Sequence, residues 1–271
     1  MPDMKICVTG AAGRMGAALI RALAETRGLV LCGALERPQS ERLGEDAGTV
    51  AGLPATGIRI TDNVATALEG ADGIVDFSRP EASRMLAEEA ARRSLVHVIG
   101  TTGCTGEDEA AFHEAARKGA AIIKSGNMSL GVNLLAALVR QAATLLGDDF
   151  DIEVLEMHHN QKVDAPSGTA LLLGEAAATG RGIDLADKAV MAREGITGAR
   201  EKGSIGFATL RGGSVVGEHS VILAGPGERI ELTHRAQDRS LFANGAMRAL
   251  LWGRDRAPGY YSMADVLDLN R

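Results

Sequence analysis

The stretch EMHHNQKVDAPSGTA, residues 156–170, sets two adjacent histidines and a lysine just ahead of a helix start. Histidine moves protons near neutral pH because both of its protonation states are populated there. Lysine supplies a compact positive charge. The first turn of a helix offers unpaired N–H groups and the positive end of its dipole to an anion. Together these form an active-site constellation for an anionic substrate. Glu156 and His158 also share one strand face, which raises a metal site. No third ligand stands at a recognised zinc spacing, however, and the cysteines lie far away in sequence, so no metal is expected.

The flanks must position these groups. Ile152, Val154 and Leu155 imply a buried strand leading in. Adjacent strand residues point to opposite faces, so His158 and His159 can serve one small ligand only if the strand ends there. The polar run 160–164 supplies that ending. Pro166 is expected at the first helical position, where its missing donor costs nothing. Gly168 and Thr169 then fall in the first turn of a helix that continues through residues 170–173 and 176–178.

Composition bounds the class. The chain has 271 residues, enough for two modest domains, each with its own core. Hydrophobic residues make up 45% and charged ones 24%, the balance of an ordinary globular protein. The net charge of −6 and the lack of a basic run argue against nucleic acid as a partner. Cys7, Cys32 and Cys104 are dispersed and odd in number, so no disulfide framework is implied. With no signal-peptide core and no apolar run of about 18 residues, a cytoplasmic protein without membrane partners is expected.

Taken from its start, the chain alternates. Residues 5–9 (KICVT) form a strand, followed by the glycine turn Gly10-Ala11-Ala12-Gly13-Arg14-Met15-Gly16. Met15, Leu19, Ile20 and Leu23 recur at helical spacing. Residues 30–35 are a second strand closing on Glu36. The glycines allow close backbone approach to a pyrophosphate, and the helix start neutralises it. A carboxylate such as Glu36 can accept hydrogen bonds from adenosine ribose hydroxyls, favouring NAD, whereas the adjacent Arg37 can pair with a ribose phosphate, favouring NADP. Residues 38–61 are a long Gly-rich excursion. Strands at 73–77, 95–99 and 120–123 then alternate with helices at 80–93 and 107–118, which argues for a doubly wound parallel sheet of the Rossmann type. Gly100-Thr101-Thr102-Gly103 and Ser125-Gly126-Asn127-Met128 follow two of these strands, where such sheets place ligands.

From Ser129 the pattern shifts. A long apolar helix spans 133–146, and a polar stretch covers 179–203. Strand-like runs follow at 205–210, 214–223 and 229–234, joined by tight glycine turns, so the second domain is α+β with a mixed sheet. His219 is expected in a structural or hairpin role, and His234 and Arg235 as structural or interface residues. A last helix spans 241–252. The expected domains are a dinucleotide-binding domain at 1–128 and a substrate-binding and oligomerisation domain at 129–240.

Glu156-Met157-His158-His159, Lys162 and Asp164-Ala165-Pro166-Ser167-Gly168-Thr169-Ala170 resemble the signature of the 4-hydroxy-tetrahydrodipicolinate (dihydrodipicolinate) reductase family. The glycine turn with Arg14 and Met15, the loops at 100–103 and 125–128, Arg211-Gly212-Gly213 and Glu218-His219 match the family as well. Asp76-Phe77-Ser78 resembles a third cofactor loop. The resemblance runs from Lys5 to Leu269.

It implies reduction of 4-hydroxy-tetrahydrodipicolinate to tetrahydrodipicolinate with loss of water, in lysine biosynthesis via diaminopimelate, using NADH and/or NADPH. His158 and Lys162 become the catalytic pair, and either could deliver the final proton. His159 with the N–H groups of Gly168 and Thr169 would grip one carboxylate of the cyclic dicarboxylate substrate, with Ser167 assisting. Gly10, Ala11, Ala12, Gly13, Arg14, Met15, Glu36, Arg37, Gly100, Thr101, Thr102, Ser125, Gly126, Asn127 and Met128 would contact the cofactor. The resemblance further implies a homotetramer built through the second domain's sheet. It also implies a last segment, 241–271, that completes the first domain, with hinges near 128 and 240. A related amino-acid or semialdehyde dehydrogenase would share the nucleotide domain but lack the signature. A non-enzymatic nucleotide-binding regulator would need neither Lys162 nor the helix-start anion site.

Overall fold

The computed structural model describes residues 2–269. Its contacts divide the chain into two compact units, one holding the residues up to Ser129 and those from Ser240 on, the other Leu130–Arg239. Residues 1, 270 and 271 of the expected first domain lie outside the described residues.

The first unit opens with β1 (Met4–Thr9), α1 (Arg14–Glu25), β2 (Leu29–Leu35), α2 (Ala47–Val50), β3 (Ile60–Thr61) and α3 (Val64–Ala67). It continues through β4 (Gly73–Asp76), α4 (Pro80–Arg93), β5 (Val96–Ile99), α5 (Gly106–Arg117) and β6 (Ala121–Lys124). The second unit contains α6 (Leu130–Leu146), β7 (Asp151–His158), α7 (Gly168–Arg181), α8 (Leu185–Lys188), β8 (Ala189–Val190), β9 (Ile205–Arg211), β10 (Gly217–Gly225) and β11 (Glu228–Ala236). The chain then returns to the first unit with α9 (Ser240–Gly253), β12 (Gly259–Tyr261) and α10 (Met263–Val266).

Among the described residues the first unit's sheet has the order β12-β6-β5-β4-β1-β2-β3, with every pairing parallel. Such a sheet is covered on both faces, and the strands show it by alternation. Ile6, Val8, Val75, Val98 and Ile123 join one core with Leu19, Ile20 and Leu23 of α1 and the small residues of α9. Cys7, Ile74, Ile99 and Ile122 join the other with Leu86 of α4 and Phe112 of α5. Strand order reverses between β1 and β4, so the ends of β1, β4, β5 and β6 open together at the switch point. The short strand β12 extends the sheet beside β6. The sequence reading assigns no strand to residues 259–261, because three residues carry too little period to register.

The second unit's sheet has the order β11-β10-β7-β9-β8. β7 pairs antiparallel with β10 and parallel with β9, so the sheet is mixed. Strict alternation along β7 buries Ile152, Val154, Glu156 and His158 on one face. There the aliphatic pair packs with Leu135 and Val139 of α6 and Leu173 and Ala177 of α7. Each fully buried Leu or Val contributes roughly 1.5–3 kcal/mol, which is what fixes the strand's register.

Three expectations need correction. The polar stretch 179–203 is partly ordered, since α7 runs to Arg181 and is stopped by left-handed Gly182, and α8 and β8 follow. The helix expected at 241–252 is not the last, because α10 follows. Leu130–Asp149 is long and apolar enough to cross a membrane, with mean hydropathy 1.4, although no such run was expected. In this structure its Leu135, Val139 and Ala143 face the core of the second unit.

Candidate active site

β7 sits at the centre of the second sheet and ends at His158, so His159 falls outside the strand and the alternation rule no longer separates the pair. The turn beyond is held by backbone bonds from Lys162 N–H to His159 carbonyl (3.2 Å) and from Gly212 N–H to His158 carbonyl (2.9 Å). Lys162 Nζ donates to both oxygens of Asp164, at 2.7 and 2.9 Å. Asp164 is largely exposed, and an ion pair of that kind contributes little, so an incoming anion can compete for the ammonium.

Pro166 follows a cis Ala165–Pro166 peptide and lies outside the helix rather than at its first position. Ser167 takes the capping position instead, its Oγ accepting from Ala170 N–H at 3.1 Å. Its backbone is extended there, as a cap requires. Gly168 and Thr169 are therefore the first helical residues. Gly168 is exposed, and a Cβ at that position would meet nothing within 4 Å, so the helix start is open.

Buried beneath this turn is a polar cluster. Glu156, 1% exposed, holds His158 Nδ1 at 2.6 Å from its Oε2, and its Oε1 accepts from Ser167 N–H at 3.0 Å. Arg211, at the end of β9, closes a bidentate pair on the same carboxylate at 2.8 and 2.9 Å and also donates to the Asp164 carbonyl at 2.7 Å. His219, from β10, places Nε2 2.9 Å from Ser167 Oγ, and its ring meets that of His158 edge-on at 5.0 Å. Its Nδ1 is buried without a hydrogen bond.

The electrostatics follow from these contacts. Burial pushes the Glu156 carboxyl up, but hydrogen bonds from Arg211, His158 and Ser167 outweigh it and hold it below the usual carboxylate range. Burial pulls His158 below its ordinary value; Glu156 opposes this, while Lys162 and Arg211 add to it. His219 is pushed down to about 4, by burial first and by the His158 charge second. Ser167 is thus engaged on three sides and holds the helix start.

In the first unit the glycine turn lies between β1 and α1. Gly10 has φ +61°, a left-handed conformation that glycine adopts freely. A Cβ on Gly16 would fall 2.1 Å from the Gly10 carbonyl oxygen, so only glycine lets α1 start so close to the strand. Arg14 and Met15 open α1, where N–H groups lack helical partners. Glu36, just past β2, turns its carboxylate back on the turn and accepts from Ala12 N–H and Arg37 N–H, both at 3.0 Å, while Arg37 is exposed.

Gly100 faces the Phe77 ring, which a Cβ would strike at 2.3 Å. Buried Thr101 accepts from Ser78 N–H at 3.1 Å and lies 2.9 Å from Ser83 Oγ. Asp76 accepts from the hydroxyls of Thr9 (2.7 Å), Ser78 (2.5 Å) and Ser83 (2.5 Å), which ties the β1, β4 and β5 ends together. Thr102 is exposed beside Thr101. Ser125 Oγ donates to the Asn127 carbonyl at 2.9 Å, and nothing stands within 4 Å of a Cβ on Gly126. Ala11 and Met128 are buried in the core, and a Cβ on Gly245 would fall 1.7 Å from the Met128 carbonyl oxygen, so these two form the floor of their loops. A glycine turn that lets a ligand approach the backbone closely, a helix start and a carboxylate beside it fit a dinucleotide.

The structure thus assembles Glu156, His158, Ser167, Arg211 and His219 around one carboxylate. Sequence reasoning placed Glu156 and His158 on one strand face, weighed a metal there and set it aside, and gave Glu156 no role toward His158. The partnership with Arg211 had no local signal.

Two family models cover the chain. "Dihydrodipicolinate reductase, N-terminus" matches residues 4–128, and "Dihydrodipicolinate reductase, C-terminus" matches residues 131–267. The chain is 60% identical over 270 residues to 4-hydroxy-tetrahydrodipicolinate reductase of Rhodopseudomonas palustris (strain BisB18), covering 100% of this chain and 99% of the relative. It is 62% identical over 268 residues to the enzyme of that name from Rhizobium rhizogenes (strain K84 / ATCC BAA-868), covering 98% and 97%. In fold it is similar to a dipicolinate-bound dihydrodipicolinate reductase from Paenisporosarcina sp. TG-14, with TM-score 0.76, 22% identity, and coverage of 97% and 98%.

Proposed function

The chain belongs to the dihydrodipicolinate reductase family, and on that premise we propose that it reduces 4-hydroxy-tetrahydrodipicolinate to tetrahydrodipicolinate with loss of water, in lysine biosynthesis via diaminopimelate. The observation that carries this reading is the placement of His158 and the open start of α7 around one buried carboxylate, Glu156. A proton donor and an anion cradle are thereby held side by side, as a dicarboxylate substrate demands.

A nicotinamide cofactor, when bound, supplies the hydride. Arg14 and Met15 at the start of α1 would hold its pyrophosphate through backbone N–H groups, with Gly10, Ala12 and Gly13 shaping the turn that it approaches and Ala11 as floor. Glu36 would accept from ribose hydroxyls and Arg37 would pair with a ribose phosphate, so both NADH and NADPH are served. Gly100, Thr101, Thr102, Ser125, Gly126, Asn127 and the buried Met128 shape the nicotinamide end. In the second unit, the N–H groups of Gly168 and Thr169 with His159 grip one substrate carboxylate. Lys162 exchanges Asp164 for substrate charge. His158 acts as general acid from Nε2. Its pKa is depressed in the free protein, and a dianion bound beside it favours the charged ring again.

The outer face of the second sheet carries Leu155, Met157 and half-exposed Leu210, and this face builds a homotetramer. The free cysteines suit a reducing compartment, which supports a cytoplasmic location. The test is oxidation of NADPH and NADH, followed at the nicotinamide absorbance, with the product of the preceding synthase generated in situ. Synthase-dependent turnover supports the reductase. Cofactor binding without turnover would refute it in favour of a regulator.

A further inference from the structure

We infer that Glu156 is a positioning residue, which fixes the ring nitrogen from which His158 delivers its proton and ties that ring to the anion-binding start of α7. The inference rests on His158 being the proton donor, as proposed above.

The geometry leaves the carboxylate one role. Both oxygens of Glu156 are occupied: Oε2 by His158 Nδ1 and Arg211, Oε1 by Ser167 N–H and Arg211. An ionised carboxylate can only accept, so His158 Nδ1 must carry a hydrogen whenever the contact is made. Neutral His158 is therefore the Nδ1–H tautomer, with its lone pair on Nε2. A second proton lands on Nε2 and leaves from there. That nitrogen lies beside Gly217, where an added Cβ would stand 3.0 Å from it.

The charges around the ring sharpen the point. Glu156 comes from the same strand, Arg211 from the end of β9, Lys162 with its partner Asp164 from the turn, and His219 from β10. Burial, Lys162 and Arg211 all disfavour a charged His158, and Glu156 is the group in contact that favours it. Arg211 in turn has both terminal nitrogens on Glu156, so it keeps that carboxylate ionised instead of serving as a substrate anchor. The bond from Ser167 N–H to Oε1 makes the same carboxylate a spacer between proton donor and helix start. Displacing it moves both.

The first test needs no variant. In 15N-labelled enzyme, ring resonances of His158, assigned by their loss in H158Q, should show the Nδ1–H tautomer of the neutral ring. A neutral Nε2–H tautomer would overturn the inference. In Glu156→Gln the negative charge is gone, so the His158 pKa falls further and the falling limb of kcat moves to lower pH. Turnover drops on the order of 10²-fold with KM little changed, in the sense expected when tautomer control is lost. Glu156→Asp, which keeps the charge, should restore the position of that limb. Wild-type kcat and pH limb in a folded Glu156→Gln enzyme would also overturn it. Undiminished turnover in H158Q would instead refute the proton-donor reading, while the tautomer result would still report whether Glu156 orients the ring.

Discussion

A methyl group at Gly217 would stand 3.0 Å from Nε2 and 3.4 Å from Cδ2 of His158. The strand pairing of β10 with β7 sets this approach, and it brings the bare Gly217 backbone up to that nitrogen, with the His219 ring edge-on to the His158 ring. Gly217→Ala should lower kcat by about 10-fold, because small misplacements of a reacting group cost that much or more. Gly217→Val should be worse. Steady-state kinetics beside a thermal melt will check this; a loss of Tm with unchanged kcat would mean that Gly217 serves packing alone.

His158→Gln keeps size and polarity but removes proton transfer. Turnover should fall roughly 10²-fold or more, with KM for substrate and cofactor little changed. A defect confined to substrate KM would move His158 into the anchoring role and leave Lys162 as the acid.

Stability should fall on mild acidification. His219 is held neutral with a pKa pushed down to about 4, whereas in an unfolded chain it titrates near 6.5. Between those values the unfolded chain binds more protons, so the contribution of His219 is complete above about 6.5 and is lost as pH drops toward 4. His219→Gln should flatten the decline of Tm over that window. Equal slopes for both proteins would show that the window belongs to other groups.

Ser167→Ala removes the α7 cap and leaves His219 Nε2 without its partner in a buried site. The expected loss is roughly 2 kcal/mol, the sum of a cap and an orphaned buried ring nitrogen. Urea unfolding will measure it, and a change under 0.5 kcal/mol would argue against the cap as a stabilising contact.

Arg37→Ala should raise the KM for NADPH at least 10-fold more than that for NADH, since only the former carries a ribose phosphate to pair. Equal changes would assign Arg37 to solvent and leave cofactor choice to Glu36.

The local signals were legible because they are local. Glycine spacing, the acid past β2 and the alternation of strands and helices all lie within windows of tens of residues, and they specify the parallel sheet and its open end. The run from Glu156 to Thr169 likewise supplied His158 and Lys162 as candidate proton donors, and it marked the helix start. Pro166 misled, because the helix begins two residues later, at Gly168, with Ser167 as its cap. What the sequence could not place was anything set by strand register. Arg211 lies 55 residues from Glu156 and His219 lies 52 from Ser167. They meet because β7 pairs with β9 on one side and β10 on the other. Hydrophobic period tells which face of a strand is buried, but not which other strand lies beside it. The choice of neighbours, made by packing the whole sheet against α6 and α7, decided that Glu156 meets Arg211 and that Ser167 meets His219.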